Sequence, residues 1–388
     1  MEFQFASRMS QFQAGIFAVL DEKRKEMEAA GQKVYNLSIG TPDFPPEPHV
    51  MQALSDAAKD PENYKYALTE QPELIEAVQN WYHSCYGVDL QKDEIMSVYG
   101  SQEGLTHIGL ALCDPGDIVL VPNPGYPIFE MGPMLCGAKI EYYNLLPENG
   151  YLPDLDAIDP QLACAAKMMI VSYPANPVCV AAPRSFYDKL VKFAKKYNII
   201  ILHDNAYSKI IFDDYESISF LSIPGAMDVG VEYNSLSKTY NLTGARISFV
   251  LGNREIVQKY RTLRSQIDYG IFLPVQMAAI AALNGPQEGV EKQRLAYQAR
   301  RDALCGGFRS IGWNVPDSQG SMFVWAPVPE GYSSSVEFCF TLLEKTGVLC
   351  TPGSAFGTLG EGHVRFALTK TPEEIAEIIK VVAEGGVL

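Results

Sequence analysis

The spacing of apolar residues changes from helical to strand-like several times along the chain. Apolar positions three or four residues apart predict a helix over residues 16–30, ended by Gly31, and another over residues 73–86. Between them, residues 34–39 have the pattern of a short strand. The loop over residues 40–46 contains three prolines, which exclude a helix there. This opening region is therefore predicted to contain a helix, a short strand and a rigid loop.

Nearly continuous apolar runs alternate with helical stretches between residues 95 and 251. Apolar strands separated by helices are typical of a parallel or mixed sheet that is buried on both faces. The sequence therefore predicts a large α/β domain in this part of the chain. Its predicted strands are residues 95–99, 118–122, 139–145, 168–173, 199–203, 229–234 and 247–251, and its main predicted helices are residues 102–113, 184–197 and 254–266.

The predicted elements of the last ninety residues no longer alternate regularly between strand and helix. They are a strand over residues 322–326, a helix over 336–345 and a strand over 363–368. They indicate a smaller α+β domain, joined to the large one by a helical region around residues 277–297. We expect three parts: an N-terminal arm that includes part of the small domain (1–45), a large α/β domain (46–285) and the rest of the small α+β domain (286–388).

Composition and charge narrow the range of partners. The chain has 388 residues, 47% of them hydrophobic, which is ordinary for a soluble protein with a sizeable core. The net charge of −15 argues against nucleic acid and anionic membranes as partners. No apolar run is long enough to span a bilayer, the N-terminus lacks the layout of a signal peptide, and the eight cysteines form no Cys-x-x-Cys pair. We therefore expect a cytoplasmic protein without a metal site.

Polar residues follow the predicted strands of the large domain, directly after each strand ends. In open α/β sheets, ligands bind beyond the carboxyl ends of the strands. We therefore expect these residues to meet along one edge of the sheet. The residues concerned are Gly100, Ser101, Gln102, Tyr126, Asn176, Asp204 and the run Ser235-Leu236-Ser237-Lys238.

The segment from Ser235 to Arg246 carries the most specific chemistry. A lysine amine can condense with an aldehyde, while neighbouring hydroxyls and a guanidinium can hold a phosphate. Lys238 lies between Ser237 and a threonine, with Arg246 shortly after it, so this segment suits an aldehyde cofactor that carries a phosphate. Pyridoxal phosphate (PLP) is such a cofactor. A polar loop with a solvated lysine is the alternative interpretation of this segment alone.

The other strand ends offer what a PLP ring needs. Asp204 ends an apolar strand, where an ionised carboxylate is costly unless it is paired, and a pyridinium N–H is a suitable partner. Asn176 and Tyr207 can donate hydrogen bonds to the phenolic oxygen. Tyr126, in a loop stiffened by prolines, can stack on the ring. Taken singly, Asp204 also fits a turn or capping residue, and Tyr126 fits an ordinary half-buried loop tyrosine.

Two further features suit anions. Gly100, Ser101 and Gln102 open a helix after a strand, where free backbone N–H groups and the helix dipole attract a phosphate, although Ser101 also fits a simple helix cap. Arg365 alternates with apolar residues in the last predicted strand, which suits a clamp for the α-carboxylate of an amino acid. An internal salt bridge is the alternative for Arg365.

These motifs together resemble those of the class I/II (fold type I) PLP-dependent aminotransferases, and most closely the LL-diaminopimelate aminotransferase-like branch. The resemblance spans nearly the whole chain in the expected order. Its motifs are Leu37 to Phe44, Gly100 to Gly104, Pro124 to Pro127, Tyr173 to Pro177, Asp204 to Tyr207, Asn234 to Tyr240, Arg246 and Arg365.

The resemblance implies a role for each matched residue and a homodimer with sites completed across the two-fold interface. Lys238 matches the Schiff-base lysine that also moves the proton, and Arg365, with Asn176 and the Gly40 amide, matches the carboxylate site of the substrate. Tyr66 matches a tyrosine that reaches the phosphate in the neighbouring subunit. The remaining cofactor residues implied are Ser101, Gln102, Tyr126, Asn176, Asp204, Tyr207, Ser235, Ser237 and Arg246.

This chain departs from the family pattern at three places. Val178-Cys179 replaces the usual Thr-Gly, and Ala245 stands where an aromatic residue is common. Glu70-Gln71-Pro72 omits a glycine, so that Tyr64 competes with Tyr66 for the cross-subunit role.

The resemblance predicts a PLP-dependent aminotransferase that moves an amino group between an L-amino acid and a 2-oxo acid. A PLP-dependent carbon–sulfur β-lyase of the same fold is the alternative, because fold alone does not fix the reaction. A non-catalytic regulator is disfavoured by the acidic charge, and a dinucleotide enzyme by the lack of a Gly-x-Gly-x-x-Gly turn. The identity of the substrate stays open.

Overall fold

The computed structural model describes residues 3–12 and 15–388. Helices account for much of these two ranges and cover both faces of a central sheet. In chain order they are α1 (Ile16–Ala29), α2 (Pro48–Ala57), α3 (Pro72–Tyr86), α4 (Ser101–Leu112), α5 (Ile128–Cys136), α6 (Pro160–Ala165), α7 (Arg184–Tyr197), α8 (Ala226–Val229), α9 (Leu236–Thr239), α10 (Arg254–Arg264), α11 (Leu273–Asn284), α12 (Glu288–Ser310), α13 (Ser335–Thr346) and α14 (Pro372–Glu384).

The strands of the same ranges fall into one large sheet and two small ones. In chain order they are β1 (Tyr35–Asn36), β2 (Ile95–Val98), β3 (Ile118–Asn123), β4 (Lys139–Asn144), β5 (Ala166–Ser172), β6 (Ile200–Asp204), β7 (Gly230–Ser235), β8 (Ser248–Gly252), β9 (Phe323–Pro327), β10 (Val348–Leu349), β11 (Thr351–Pro352) and β12 (His363–Ala367).

The large sheet has seven strands in the order β2-β8-β7-β6-β5-β3-β4. Its pairs from β7 to β4 are parallel, whereas β8 is antiparallel to both of its neighbours, β2 and β7. The predicted α/β class with a mixed, mostly parallel sheet is therefore confirmed. The strand order places the carboxyl ends of β5, β6 and β7 side by side, so the residues that follow them converge.

Coverage by helices explains why the middle strands begin with apolar residues and why the polar residues further along them are buried. Every residue of β7 is buried, and so is every residue of β6 after Ile200, because helices cover both faces of the sheet. Helix α7 shows the matching one-sided pattern. It buries Phe186, Leu190 and Ala194 against the sheet and ends at Asn198, whose φ of 57° is left-handed.

The small sheets bring the two ends of the chain together. Strand β12 is the centre of a three-stranded antiparallel sheet, between β11 and β9. Strand β1 pairs in parallel with β10, through Tyr35 opposite Val348. The next residue, Leu37, bridges both small sheets, since its N–H donates to the Leu349 carbonyl and its carbonyl accepts from the Ala367 N–H. The loop after β1 is thereby held at the edge of β12.

Several predicted bounds differ from the observed ones. The strand predicted over residues 34–39 is regular only at Tyr35 and Asn36, because β10 is equally short. The helical region predicted around residues 277–297 is two helices, α11 and α12, since Gly285 and Pro286 interrupt the backbone hydrogen bonds. Helix α10 ends at Arg264, two residues before the predicted end. In the described ranges, no helix is both long and apolar enough to cross a membrane.

Candidate active site

One cavity of about 310 Å³ opens beyond the carboxyl ends of the large sheet's strands. The small three-stranded sheet and the loop after β1 contribute its opposite side. The structure brings twelve of the predicted site residues to this cavity, and Tyr66 is the exception. The twelve are Gly40, Ser101, Gln102, Tyr126, Asn176, Asp204, Tyr207, Ser235, Ser237, Lys238, Arg246 and Arg365.

Lys238 lies in the short helix α9, directly after β7. Its amine donates a hydrogen bond of 2.8 Å to the Gly40 carbonyl, which crosses the cavity from the large sheet to the loop after β1. Burial lowers the pKa of Lys238 to about 8, and the positive charges of Arg365 and Arg246 act in the same direction. The Lys238 amine is therefore neutral in a substantial fraction of molecules near pH 8, as a nucleophile or base must be.

Asp204 is the last residue of β6 and points its carboxylate into the cavity. The buried Oδ1 atom has no hydrogen-bond partner among the described residues. Burial raises the pKa of Asp204 to about 6, and the adjacent His203 opposes that rise. The Asp204 carboxylate is thus ionised at neutral pH and accepts a backbone hydrogen bond from Ala206, but it forms no ion pair with any described residue, which is the state expected of a group that pairs with a cationic ligand.

A buried network lies directly behind Asp204. His203 and Glu232 face each other on neighbouring strands, with His203 Nδ1 3.0 Å from Glu232 Oε2. Glu232 also accepts hydrogen bonds from the Tyr82 hydroxyl and the Ser219 hydroxyl, each at 2.8 Å. The buried Glu232 carboxylate is fully satisfied by this network, so it fixes the end of β6 and with it the position of Asp204.

Arg365 lies on the central strand of the small sheet and is 5% exposed. One guanidinium nitrogen donates to Asn176 Oδ1 at 2.7 Å and another to the Ser38 carbonyl at 3.2 Å, whereas Nε has no partner in the described ranges. The guanidinium lies 4.0 Å from the centre of the Phe323 ring. Burial lowers the pKa of Arg365 to about 10. The internal salt bridge considered as an alternative is absent from the described structure, since no carboxylate lies within 4.0 Å of Arg365.

Asn176 and Tyr207 lie between Arg365 and Asp204. Asn176 uses its side-chain oxygen to accept from Arg365, which leaves its amide NH₂ free to donate into the cavity. Tyr207 packs edge-on against Phe323 at 5.9 Å between ring centres, and burial raises its pKa. Tyr207 therefore stays protonated and can serve as a hydrogen-bond donor.

The N-terminus of α4 forms one end of the cavity. Gly100 precedes the helix with φ 91°, a conformation that side chains rarely adopt. A Cβ atom at Gly100 would lie only 2.2 Å from Arg246 Nη2. The buried Ser101 hydroxyl has no partner in the part of the chain described, while Gln102 is exposed at the rim. Free N–H groups of the first helical turn and the Ser101 hydroxyl thus face the same space as Arg246.

Ser235, Ser237 and Arg246 complete that end. Ser235 is bonded to Ser248 at 2.9 Å and accepts from the Ser237 N–H, so both serines are fixed. Arg246 is exposed and has φ 55°, and its guanidinium donates to the carbonyls of Thr243 and Tyr99. This end of the cavity combines a guanidinium, hydroxyls and the N–H groups of a helix start, which suits a phosphate.

Tyr126 and Gly40 also line the cavity, together with Lys238 and Arg365. Tyr126 is half-buried and packs edge-on against Phe129. A Cβ atom at Gly40 would lie 2.3 Å from the Phe323 ring, so the loop after β1 needs glycine to approach the small sheet this closely.

Tyr66 does not line the cavity. Its side chain is 77% exposed and packs against Tyr269, with ring centres 4.6 Å apart. The competing Tyr64 is 64% exposed, and its hydroxyl donates to the Ala58 carbonyl. Within one chain, then, neither tyrosine approaches the donor-rich end of the cavity.

The sequence interpretation assigned no role to two lining residues that contact the predicted arginines. Phe323, at the start of β9, packs against Arg365, and the Thr243 carbonyl accepts a hydrogen bond from Arg246. Nothing in the local sequence distinguishes Phe323 from an ordinary core residue.

A family model described as Aminotransferase class I and II matches residues 32–382. The chain is a class I and II aminotransferase. The LL-diaminopimelate aminotransferase of Moorella thermoacetica is 43% identical to it over 379 residues, which cover 97% of each chain. The enzyme of the same name from Halothermothrix orenii is 41% identical over 377 residues, again covering 97% of each.

Solved structures agree with this family assignment. The structure of apo-BacF from Bacillus subtilis superposes with a TM-score of 0.95 at 36% identity, covering 99% of this chain and 98% of that one. A double mutant of Thermus thermophilus aspartate aminotransferase gives a TM-score of 0.93 at 25% identity over all of both chains. The resemblance to fold type I aminotransferases, and to the LL-diaminopimelate aminotransferase-like branch, is confirmed. This aminotransferase uses PLP, and amino-group transfer is favoured over the β-lyase alternative.

The cavity fits PLP by the chemistry of its side chains. Three residues that line it each have a buried polar atom without a partner in the described structure: Asp204 Oδ1, Ser101 Oγ and Arg365 Nε. Its opposite ends carry a lone carboxylate and a set of cationic and neutral donors. The PLP ring nitrogen and phosphate require those two kinds of group.

Proposed function

We propose that this aminotransferase carries out its reaction in the cavity around Lys238. The observation that carries the proposal is the position of the Lys238 amine. Lys238 is half-buried, its pKa is lowered to about 8, and it lies in one cavity with Arg365 and with the Asp204 carboxylate, which has no ion-pair partner in the described structure. A neutral amine between a lone anion and a lone cation suits proton transfer on an amino acid.

Each residue has a role in this proposal. PLP, when bound, supplies an aldehyde for an amine and a ring that accepts electrons. Asp204 pairs with the ring nitrogen, and the Asn176 NH₂ and the Tyr207 hydroxyl donate to the phenolic oxygen. Tyr126 covers the ring. The phosphate is held by Ser101, Gln102, Ser235, Ser237 and Arg246.

Lys238 acts twice in this scheme. Its amine would bind the cofactor, and once an amino acid has displaced it, the same amine would remove the proton from the substrate's α-carbon and return it two atoms away, at the former aldehyde carbon of the cofactor. Arg365 and the Gly40 N–H hold the α-carboxylate, so that the α-carbon faces Lys238. Burial and the two arginines lower the pKa of Lys238 to about 8, so that the neutral amine needed for this step is present in a substantial fraction of molecules near that pH.

We also propose a homodimer whose interface adjoins the phosphate end of the site. An exposed group of aromatic and apolar side chains supports it, because monomers rarely expose such a patch. The patch also adjoins Tyr99, which precedes Gly100 and donates to the carbonyl of Tyr269. In the dimer, Tyr66 or Tyr64 would reach the partner's phosphate. The exposed patch consists of Tyr64, Tyr66, Leu68, Tyr269 and Phe272.

We place the enzyme in the cytoplasm, with an L-amino acid and a 2-oxo acid as substrates and without nucleic acid or membrane as partners. All eight cysteines are free thiols, which suits a reducing compartment. We propose the domain division 1–45, 46–285 and 286–388. The separate strand sets of the large and small sheets support this division.

The proposed function is tested by half-reactions. The purified enzyme with PLP is mixed with single amino acids, and formation of the 2-oxo acid is followed with loss of the cofactor's visible absorbance. Lys238→Ala should abolish turnover, because both the attachment point and the base are removed. Lys192→Ala, which changes an exposed lysine on α7, is the matched control and should keep wild-type rates. Normal transamination by Lys238→Ala would overturn the assignment.

A further inference from the structure

A second cavity of about 370 Å³ continues outward from the proposed site. It shares Gly40, Gln102, Tyr126, Ile128 and Arg365 with the first, so the two are continuous. Because Arg365 is the proposed carboxylate clamp and Lys238 faces the α-carbon, this lobe is where the substrate's side chain extends. We call it the side-chain lobe.

Most of the apolar wall of the side-chain lobe comes from two segments, and Gln102 of α4 adds a polar side chain. One is the loop after β1, with Ile39 55% exposed at the mouth. The other is the start of α5, where Ile128 is buried and Met131 is half-buried. Both segments turn apolar side chains towards the lobe, and Pro127 adds to that surface.

Arg365 is the one side chain with a formal charge among the described residues that line the lobe. The acidic residues on the neighbouring helices are engaged elsewhere. Glu130 on α5 accepts from the Tyr142 hydroxyl at 3.1 Å, and Glu103 on α4 pairs with His107 and Arg264. None of these lines the lobe, so a second charge on a substrate would find no counter-ion there.

We propose that the side-chain lobe selects amino acids with uncharged, largely apolar side chains, of the size of methionine, leucine or phenylalanine. The proposal rests on the function proposed above and deepens it. An apolar side chain gains by leaving water against Ile39, Ile128 and Met131. A charged one would lose its hydration without a partner, which is unfavourable. Diaminopimelate carries a distal carboxylate and a distal ammonium, so both of its far charges would be unpaired.

The first experiment compares substrates on the wild-type holoenzyme. Half-reaction kcat/KM values are measured for methionine, leucine and phenylalanine, and for LL-diaminopimelate, glutamate and aspartate. We expect the uncharged set to exceed the charged set by about tenfold or more. Faster reaction of diaminopimelate or glutamate would overturn the proposal and would indicate a charged group from a partner subunit in the lobe. If no amino acid reacts, the proposed function itself fails, and this inference fails with it.

A binding measurement separates recognition from chemistry. The dissociation constants of 3-phenylpropionate and glutarate are measured on the holoenzyme by titration calorimetry. Each has one carboxylate for Arg365, and only glutarate brings a second charge into the lobe. We expect 3-phenylpropionate to bind about tenfold more tightly. Equal or tighter binding of glutarate would contradict the inference.

A variant reverses the preference. Met131→Arg places a cation in the lobe, and we expect it to raise kcat/KM for glutamate about tenfold while lowering that for methionine. Met131→Leu keeps the apolar surface and should retain the wild-type order of substrates. An unchanged ratio in Met131→Arg would show that Met131 does not face the substrate's side chain. The binding comparison on the wild type stands whether or not this variant folds.

Discussion

Two arginines lie at opposite ends of the active-site cavity, and they are built in opposite ways. Arg246 is exposed, has a left-handed backbone and donates to two backbone carbonyls. Arg365 is 5% exposed, lies 4.0 Å from the Phe323 ring centre, and has a pKa lowered by burial to about 10. In the described structure, neither guanidinium has a carboxylate within 4.0 Å.

The difference follows from what each arginine is proposed to hold. A phosphate that stays bound needs a cation held in place by the backbone, and solvent contact there does little harm. A carboxylate that enters and leaves at every turnover needs a cation whose charge is poorly satisfied beforehand, so that each binding event relieves part of its desolvation. The exposed Arg246 is thus suited to keeping the cofactor bound, and the buried Arg365 is suited to binding each incoming substrate.

The largest effect is expected from Arg365→Leu. Removing one partner of a buried charge pair costs about 3 kcal/mol, which corresponds to roughly a hundredfold loss in kcat/KM for amino acids. Cofactor affinity should stay close to that of the wild type. Steady-state kinetics and equilibrium dialysis of PLP measure the two quantities. Arg365→Lys keeps the charge but not the planar guanidinium, so its kcat/KM should lie between those of the wild type and Arg365→Leu. A loss of cofactor affinity with unchanged kcat/KM would reverse the assigned roles.

Arg246→Gln should have the next largest effect, on the cofactor. An exposed cation on a phosphate contributes about 1.5 kcal/mol, so PLP should bind roughly tenfold more weakly. At saturating PLP, the KM for the amino acid should be unchanged. Titration of the apoenzyme with PLP, followed by absorbance, checks the first expectation. An increase in KM at full saturation would contradict the separation of the two ends.

The smallest effect is expected on the pKa of Lys238, whose amine lies between the two arginines. A lowered pKa means that the Lys238 amine becomes neutral as the pH rises through about 8, so its acetylation rate in the apoenzyme should rise around that pH. Removing a nearby cation favours the protonated amine and moves this rise to higher pH. Arg365→Leu should move it further than Arg246→Gln, because Arg365 is the larger of the two electrostatic influences.

Peptide mass spectrometry at a series of pH values gives the acetylation rate of Lys238, with the exposed Lys25 as an internal reference. A larger shift in Arg246→Gln would place the stronger influence on Lys238 at the phosphate end. That result would contradict the expectation that Arg365 lowers the pKa of Lys238 more than Arg246 does.

The large sheet could be predicted to within about two residues at each strand end. Its inner strands are buried on both faces and so contain long apolar runs, whereas the edge strand β4 is mostly exposed. The predicted division into domains stays a prediction. Helix α5 was not predicted, because an apolar run that makes a strand recognisable hides the period of a helix. It is apolar on nearly all sides and contains Pro133, so no helical period stands out.

Convergence of the cavity residues at strand ends could also be predicted, since topology alone brings those positions together. The roles assigned to these residues stay predictions. Contacts made between the two sheets could not be foreseen. The hydrogen bond from Lys238 to Gly40 and the packing of Phe323 on Arg365 depend on tertiary approach, which leaves no pattern in a local stretch of sequence. The apolar character of Met131 likewise gave no hint that it lines a lobe.

The parallel pairing of β1 with β10 has a consequence for how the enzyme is made. It joins Tyr35 to Val348, and the contacts of the Gly40 loop with Lys238 and of Ser38 with Arg365 span 198 and 327 residues of sequence. Contacts this distant form late, because loop closure must precede them. Translation supplies β12 after every strand of the large sheet, so the reaction centre can close only after all of those strands have been synthesised. A chain that stops short of β12 would fold its large sheet yet have no means of capturing a carboxylate.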